Sequence, residues 1–442
     1  MTIEELKNKK VGFISLGCDK NRVDLEKIIY NLKNFGLNIV NEPNSANIII
    51  VNTCSFLESA RLEAIETILE MSNYKSENLE KLIVTGCLNE LGYKDLEESL
   101  PEVDLFLNVK DNDKIINEIA KLYEIDLDYV YENNRIITTP RHYAYLKISE
   151  GCNNFCTYCL IPYIRGRYRS TPIEEIINEA NKLVNQGVKE LIIVAQDVTK
   201  YGIDIYNKKM LVPLLRELSK INDLMWIRLL YCYPEEIDDE LINEIKNNDK
   251  IVKYLDIPLQ HVSTDVLKNM NRRSTYESIC KLFDKIIINI PNITIRTTFI
   301  LGFPNENEVD VELIKNFLIK YQLNNVGFFT YSREEGTKAY SMNNQIDEDI
   351  KKSRLELLST IQYDIVQQNN SKLIGKQFQV LIDEVNRGYS IGRYYGQSPL
   401  IDTVVYINEE LTEGEFYNIE ITNKLDYDLE GERVWIYQIK LL

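Results

Sequence analysis

The chain has 442 residues, 44% of them hydrophobic, which at roughly 100–200 residues per domain suggests two to four ordinary globular domains. Lys and Arg number 51 against 68 Asp and Glu, and the formal charge of −17 argues against a broad, non-specific grip on nucleic acid. It suits a basic protein partner better, though an acidic balance also serves solubility alone.

No apolar run approaches the ~20 residues that cross a bilayer, so no membrane association is expected. The opening MTIEELKNKK leads into a strand and does not read as a signal peptide, so a cytoplasmic location is the expectation. Eight cysteines in such a setting imply thiols or metal ligands rather than disulfides. With only His142 and His261, a His-rich zinc or non-haem iron centre is not expected.

The overall class reads as α/β. Residues 1–138 alternate short apolar runs with helical periodicity, the pattern of an open parallel sheet. Strands are expected at Val11–Leu16, Asn47–Val51, Lys81–Thr85 and Val103–Leu107. Helices are expected at Val23–Phe35, Leu57–Met71 and near Ile115–Leu122. Cys18 in SLGC, Cys54 in VNTC and Cys87 in VTGC each fall just past a strand. The carboxyl ends of parallel strands share one edge, so three cysteines far apart in sequence would converge on one crevice. The alternative is three small buried residues.

Residues 139–370 continue the alternation. Strands are expected at Tyr143–Ile148, Leu191–Ala195, Trp226–Leu230, Tyr254–Ile257, Thr294–Ile300 and Val326–Thr330. Helices such as Ile173–Asn185 and Asp238–Lys246 lie between them, and a polar helix over Asp347–Asn370 closes the part. Six strand–helix units suit a partial (β/α)6 barrel, whose chemistry sits at the carboxyl strand ends. Residues 371–442 read instead as a small OB-like β-barrel with strands at Phe378–Ile382, Val404–Ile407, Phe416–Ile421 and Val434–Ile439. From Gly375 onward it carries six basic and twelve acidic residues.

The segment GCNNFCTYC sets Cys152, Cys156 and Cys159 in a CxxxCxxC pattern after a strand. Three thiolates can hold three corners of a 4Fe–4S cubane and leave the fourth iron open. An open iron can chelate the amino and carboxylate groups of S-adenosylmethionine (SAM), and one electron then releases a 5′-deoxyadenosyl radical. A zinc loop is the competing reading, but structural zinc prefers four ligands in paired spacings.

The whole chain resembles the radical SAM methylthiotransferases, and within them the RimO type. The segments that carry the resemblance are SLGCDKNRVD (15–24), VAQDVTKYG (194–202), LLYCYPEEI (229–237), YLDIPLQH (254–261), FTYSREEGT (329–337) and YYGQSPLID (394–402). The sister MiaB type, which modifies tRNA, usually has a YGCQMN-like first cysteine motif. The resemblance implies a radical SAM barrel and a C-terminal TRAM domain. It implies two 4Fe–4S clusters, a SAM cluster on Cys152, Cys156 and Cys159 and an auxiliary one on Cys18, Cys54 and Cys87, with SAM supplying both radical and methyl group. The implied substrate is an aspartate β-carbon of ribosomal protein S twelve in the small subunit. The implied partners are an electron donor such as flavodoxin or ferredoxin, with nucleic acid met only through the ribosome. The competing readings are a tRNA methylthiotransferase and a non-catalytic iron–sulfur redox protein. Two loops depart from the family pattern: Asn305 stands where GFPGE has its second glycine, and CLNELGY follows at Cys87 in place of CLAQRY.

Further candidates are weaker. Tyr158 precedes the third cysteine, and Gln196 and Asp197 follow a strand at the barrel rim; all three are candidate SAM contacts, or in the last two cases simple strand-end partners. Thr298, Ile300 and Gly302 would line the adenine site by resemblance, whereas periodicity alone makes them core. Tyr231 and Tyr233 are candidates, by the resemblance alone, for reading a protein substrate rather than tRNA. Arg165 and Arg167 could hold carboxylates bidentately or face solvent. His261 ends a strand, as a site residue or a satisfied structural one, and His142 reads as structural. Cys232 and Cys280 lack partner spacing and read as core thiols.

Overall fold

The computed structural model describes residues 1–90 and 96–435. The chain forms two compact units: residues 1–139, 149–169 and 332–340, and residues 140–148, 170–331 and 341–442.

The first unit is built on a five-stranded parallel sheet of β1 (Lys10–Ser15), β2 (Asn38–Ile39), β3 (Ile48–Thr53), β4 (Lys81–Gly86) and β5 (Leu105–Leu107), in the order β2-β1-β3-β4-β5. β3 is buried along its whole length, as expected of a central parallel strand covered on both faces. Its IIIV run alternates between two cores: Ile48 and Ile50 pack with Ile28, Leu32 and Ile116, while Ile49 and Val51 pack with Ala64 and Ile68. A short helix, Ile3–Lys7, precedes β1, and the helix after β1 begins at Asp19, four residues before its apolar periodicity, because its polar first turn is itself buried: Lys20 and Asn21 are 7% and 0% exposed. The two-residue β2 gave no periodic signal.

The second unit holds a six-stranded all-parallel sheet: β6 (Tyr143–Lys147), β7 (Glu190–Val194), β8 (Trp226–Leu229), β9 (Ile251–Asp256), β10 (Thr294–Leu301) and β11 (Asn325–Thr330). Its order, β11-β10-β9-β8-β7-β6, follows the chain. The long helix Glu348–Ser371 leads to a closed barrel of β12 (Gln377–Asn386), β13 (Tyr389–Tyr394), β14 (Val405–Ile407), β15 (Phe416–Leu425) and β16 (Asp428–Arg433), ordered β12-β13-β14-β16-β15.

Two barrel strands differ from expectation. β13 was hidden because Gly392 reads as a turn, yet it lies mid-strand paired with Ile382 and Val405. β16 is mostly charged; only Leu429 points to the core, and Gly431 leaves room for Ile419, whose Cγ2 would stand 2.5 Å from an added Cβ. The strand expected at Val434–Ile439 lies largely outside the described residues; its Val434 amide bonds Asn418 O just beyond β16.

A buried charge chain links the small barrel to the parallel sheet. Arg228 Nε donates to Glu190 Oε1 at 2.7 Å, and Arg393 Nη2 lies 2.9 Å from Glu190 Oε2. Arg393 also grips Asp383 bidentately, at 2.5 and 2.9 Å, and Asp383 pairs with His142 Nε2 at 2.8 Å. Burial alone would raise the Glu190 carboxyl, but Arg393 and Arg228 hold it below the usual range. Asp383 is likewise lowered against its burial, by Arg393 and then His142. Asp402 adds a second anchor, accepting from Tyr254 Oη and Arg296 Nη1, each at 2.7 Å. His142 is thus structural.

Candidate functional site

Parallel pairing brings the N-terminal cysteines together. β3 and β4 run in register with Thr53 opposite Gly86, so the next residues, Cys54 and Cys87, leave the sheet side by side. β1 pairs Ser15 with Asn52, and Leu16 N bonds Asn52 O at 2.8 Å, which puts Cys18 at the same edge. Only glycine can precede Cys87: Gly86 has φ +98°, and a Cβ there would stand 2.4 Å from Thr53 O. Cys18 is exposed, Cys54 half-buried and Cys87 buried. Burial pushes the Cys87 thiol up to about 11 against the pull of Arg165, and burial also raises Cys54. Iron binding would therefore have to displace protons from these thiols.

The loop with Cys152, Cys156 and Cys159 belongs to the same compact unit. Its backbone is aimed at sulfur: Asn154 N donates to Cys152 Sγ and Ile161 N to Cys159 Sγ, both at 3.4 Å. Such N–H···S bonds suit thiolates that carry charge, so the donor set fits an iron–sulfur cluster. Among the described residues, no three side chains gather as a single metal ion would require. A cubane spreads its thiolates over several atoms, so single-ion spacing is not what it needs.

Two side chains tie this loop to the N-terminal sheet. Arg165, 5% exposed, puts Nη1 2.7 Å from Asp24 Oδ2 and 3.4 Å from Glu150 Oε2, and Nη2 3.3 Å from Cys87 Sγ. Its carboxylates are thus the protein's own. Nη2 also contacts Asn21 Oδ1, and Asn21 Nδ2 donates to Thr53 O at 2.9 Å. Arg167, by contrast, is exposed, with its guanidinium 4.5 Å from the Phe155 ring centre. Glu334, in the FTYSREEGT segment, accepts from Glu58 N at 3.0 Å and pairs with Arg61 at 2.7 Å, at the start of the helix after Cys54. The same strap returns to the cluster loop through Ala339 N on Thr157 O at 2.9 Å. Asn21, Asp24 and Glu334 were missed, and their only sequence signal is their place in matching segments. Tyr158 is half-buried in the loop.

In the second unit the remaining candidates lie along the carboxyl edge of the parallel sheet. The β10 face alternates strictly: Thr297, Phe299 and Leu301 are buried, while Thr298 and Ile300 are half-buried on the opposite face with Arg296. Periodicity alone had made Thr298 and Ile300 core, but they turn away from the buried side. Gln260, in the left-handed region at φ +68°, bonds both: its N donates to Thr298 O and its O accepts from Ile300 N. Gln196 is half-buried, and Asp197 is fully buried, accepting from Thr199 N at 3.1 Å. Tyr231 is half-buried with φ +60°, costly for a bulky residue, and its amide is held by Asp256 Oδ2 at 2.9 Å. The Arg272 guanidinium lies 4.1 Å from the Tyr233 ring centre.

His261 is fully buried. Its Nδ1 accepts from Ser263 N at 2.8 Å, and Nε2 lies 3.3 Å from Glu306 Oε2. Glu306 Oε1 in turn accepts from Gly302 N and Arg354 Nη1. Through Ser263 and Glu306, His261 braces the loop after β10. Gly302 itself has φ +74° and packs on the Lys351 stem, at the end of the strand that carries Thr298 and Ile300. In that loop Asn305 takes φ +70° and exchanges bonds with Asn344, so asparagine meets the left-handed requirement that glycine meets elsewhere. Cys232 is buried, and burial pushes its thiol well up. Cys280 is half-buried rather than core.

Comparison with known proteins decides the family. Residues 146–318 match the radical SAM superfamily, 374–434 the TRAM domain and 10–108 the uncharacterized protein family UPF0004. The chain is 49% identical over 435 residues to the ribosomal protein uS12 methylthiotransferase RimO of Thermoanaerobacter sp. (strain X514), covering 96% of this chain and all of that one. It is 47% identical to that of Clostridium tetani (strain Massachusetts / E88), with 96% and 97% covered. The chain belongs to the RimO methylthiotransferase family. As a radical SAM enzyme of that family it uses SAM and a 4Fe–4S cluster. The fold alone is shared with the radical SAM methyltransferase TsrM from Kitasatospora setae, at TM-score 0.54, 15% identity and 73% of both chains. It is shared too with the cobalamin-dependent SAM radical enzyme OxsB, at TM-score 0.53, 13% identity, 82% of this chain and 58% of that one. Among the described residues of this RimO family member, no helix is long and apolar enough to cross a membrane.

Proposed function

We propose that this chain inserts sulfur and a methyl group at the β-carbon of an aspartate in ribosomal protein S twelve, in the cytoplasm, drawing electrons from a flavodoxin or ferredoxin. The observation that carries the reading is the convergence of Cys18, Cys54 and Cys87 at one sheet edge, in the compact unit that also holds Cys152, Cys156 and Cys159. A second 4Fe–4S cluster on the first three, when bound, supplies an open iron that can hold the sulfur to be transferred. Cys152, Cys156 and Cys159 hold the SAM cluster, with the Asn154 and Ile161 amides stabilising charge on sulfur. Thr298, Ile300, Gln196 and Tyr158 contact SAM; Asp197 shapes the turn after β7 through Thr199. Tyr231 and Tyr233 read the protein substrate. The three domains divide at about residues 138 and 370.

The test offers anaerobically reconstituted protein, SAM, reductant and sulfide two acceptors separately: a peptide from the S twelve loop and unmodified tRNA. Mass spectrometry should find a methylthio group on the peptide aspartate alone. Modification of tRNA alone would overturn the substrate. Absence of 5′-deoxyadenosine from cluster-loaded protein would overturn the chemistry in favour of a redox role.

A further inference from the structure

Arg165 spends its charge inside the protein. It follows the short helix Ile161–Ile164 that begins two residues after Cys159, and its own amide closes that turn on Ile161 O at 2.7 Å. Burying a guanidinium is costly unless its charge and its N–H groups are matched. Asp24 and Glu150 already match the charge. The approach of Nη2 to Cys87 Sγ at 3.3 Å is therefore not needed to neutralise the arginine, and its benefit falls on the sulfur. Leu160 and Ile164 pack on the same cysteine and shut water out.

We propose that Arg165 is a positioning residue for the auxiliary cluster, carrying a fixed positive charge and an N–H from the chain of the SAM-cluster loop onto the Cys87 thiolate. This rests on the reading of Cys18, Cys54 and Cys87 as ligands. A hydrogen bond and a cation at a cluster thiolate stabilise the reduced, more negative state and raise the cluster's potential. Asn21 and Asp24 lie on the helix that leaves Cys18, and Glu150 just precedes Cys152, so one side chain sets the seat of Cys87 relative to both cysteine sets.

The test compares full-length wild type, Arg165→Lys, Arg165→Gln and the packing control Leu160→Val after anaerobic reconstitution. Iron content is measured, and midpoint potentials are followed by electron paramagnetic resonance, with the SAM-insensitive signal assigned to the auxiliary cluster. Arg165→Gln should lower that potential, Arg165→Lys should lower it less, and Leu160→Val should leave it in place. Equal potentials in all four, or a shift in Leu160→Val as large as in Arg165→Gln, would overturn the proposal. Should Arg165→Gln fail to take up iron, Arg165→Lys decides, since an ammonium lacks the planar fork; an unchanged potential there overturns it. Wild type holding the iron of one cluster only would defeat the two-cluster reading itself, and the proposal with it.

Discussion

Glu190 sits between two arginines, Arg228 and Arg393, and all three are at most 1% exposed. Removing one member of such a chain leaves an uncompensated buried charge, so Glu190→Gln should cost ~3–5 kcal/mol, read as a lower midpoint in urea unfolding. The same residue sets a pH dependence. Glu190 and Asp383 are lowered in the folded state, so the unfolded chain binds their protons more readily. Their contribution is complete above the ordinary carboxylate value of about 4 and is lost as pH falls through the lower folded values. Urea midpoints measured down the pH scale should therefore hold level and then drop, and the drop should be shallower in Glu190→Gln. An equal drop in both would show that Glu190 is not its source. None of this was legible beforehand: Glu190, Arg228 and Arg393 are ordinary charged letters until the fold places them together. Arg165 was legible as a residue that could hold carboxylates, but not that Asp24 and Glu150 would be the ones.

Among the elements, the strand ends hold the candidate residues and the supports behind them are tertiary. Gly302, at φ +74°, leaves the space that Lys351 fills: an added Cβ would overlap the Lys351 Cγ, while its Nζ is held by Tyr331 O at 2.9 Å. Gly302→Ala should therefore lower the thermal midpoint by a strain of ~1–3 kcal/mol and weaken SAM binding by isothermal titration. The strap around Glu334 gives a second expectation. Glu334→Gln breaks the pair with Arg61 and weakens the cap on Glu58 N, so proteolysis should cut residues 332–340 sooner. Most parallel strands could be read from apolar runs because both faces of a parallel sheet are covered. β13 and β16 could not, since their interior positions are filled partly by Gly392 and Gly431.

For the whole molecule, the charge of −17 sets how it meets a partner. If the partner is a basic ribosomal protein, association is steered by opposite fields and should slow as salt rises. Initial rates at low substrate should fall steeply between low and physiological ionic strength, while kcat stays level; a salt-independent rate would count against electrostatic recognition. The sequence by itself determined the chemistry available: six cysteines in two sets, each near a strand end, because parallel strands expose their carboxyl ends at one edge and cysteine spacing survives as a linear pattern. It also determined the α/β class and the appended barrel, through periodicity. Only the tertiary structure decided which charged groups are buried together, that Arg165 reaches Cys87, and that His261 is a brace. Those facts depend on side chains far apart in sequence meeting where water is excluded, and no local pattern records such a meeting.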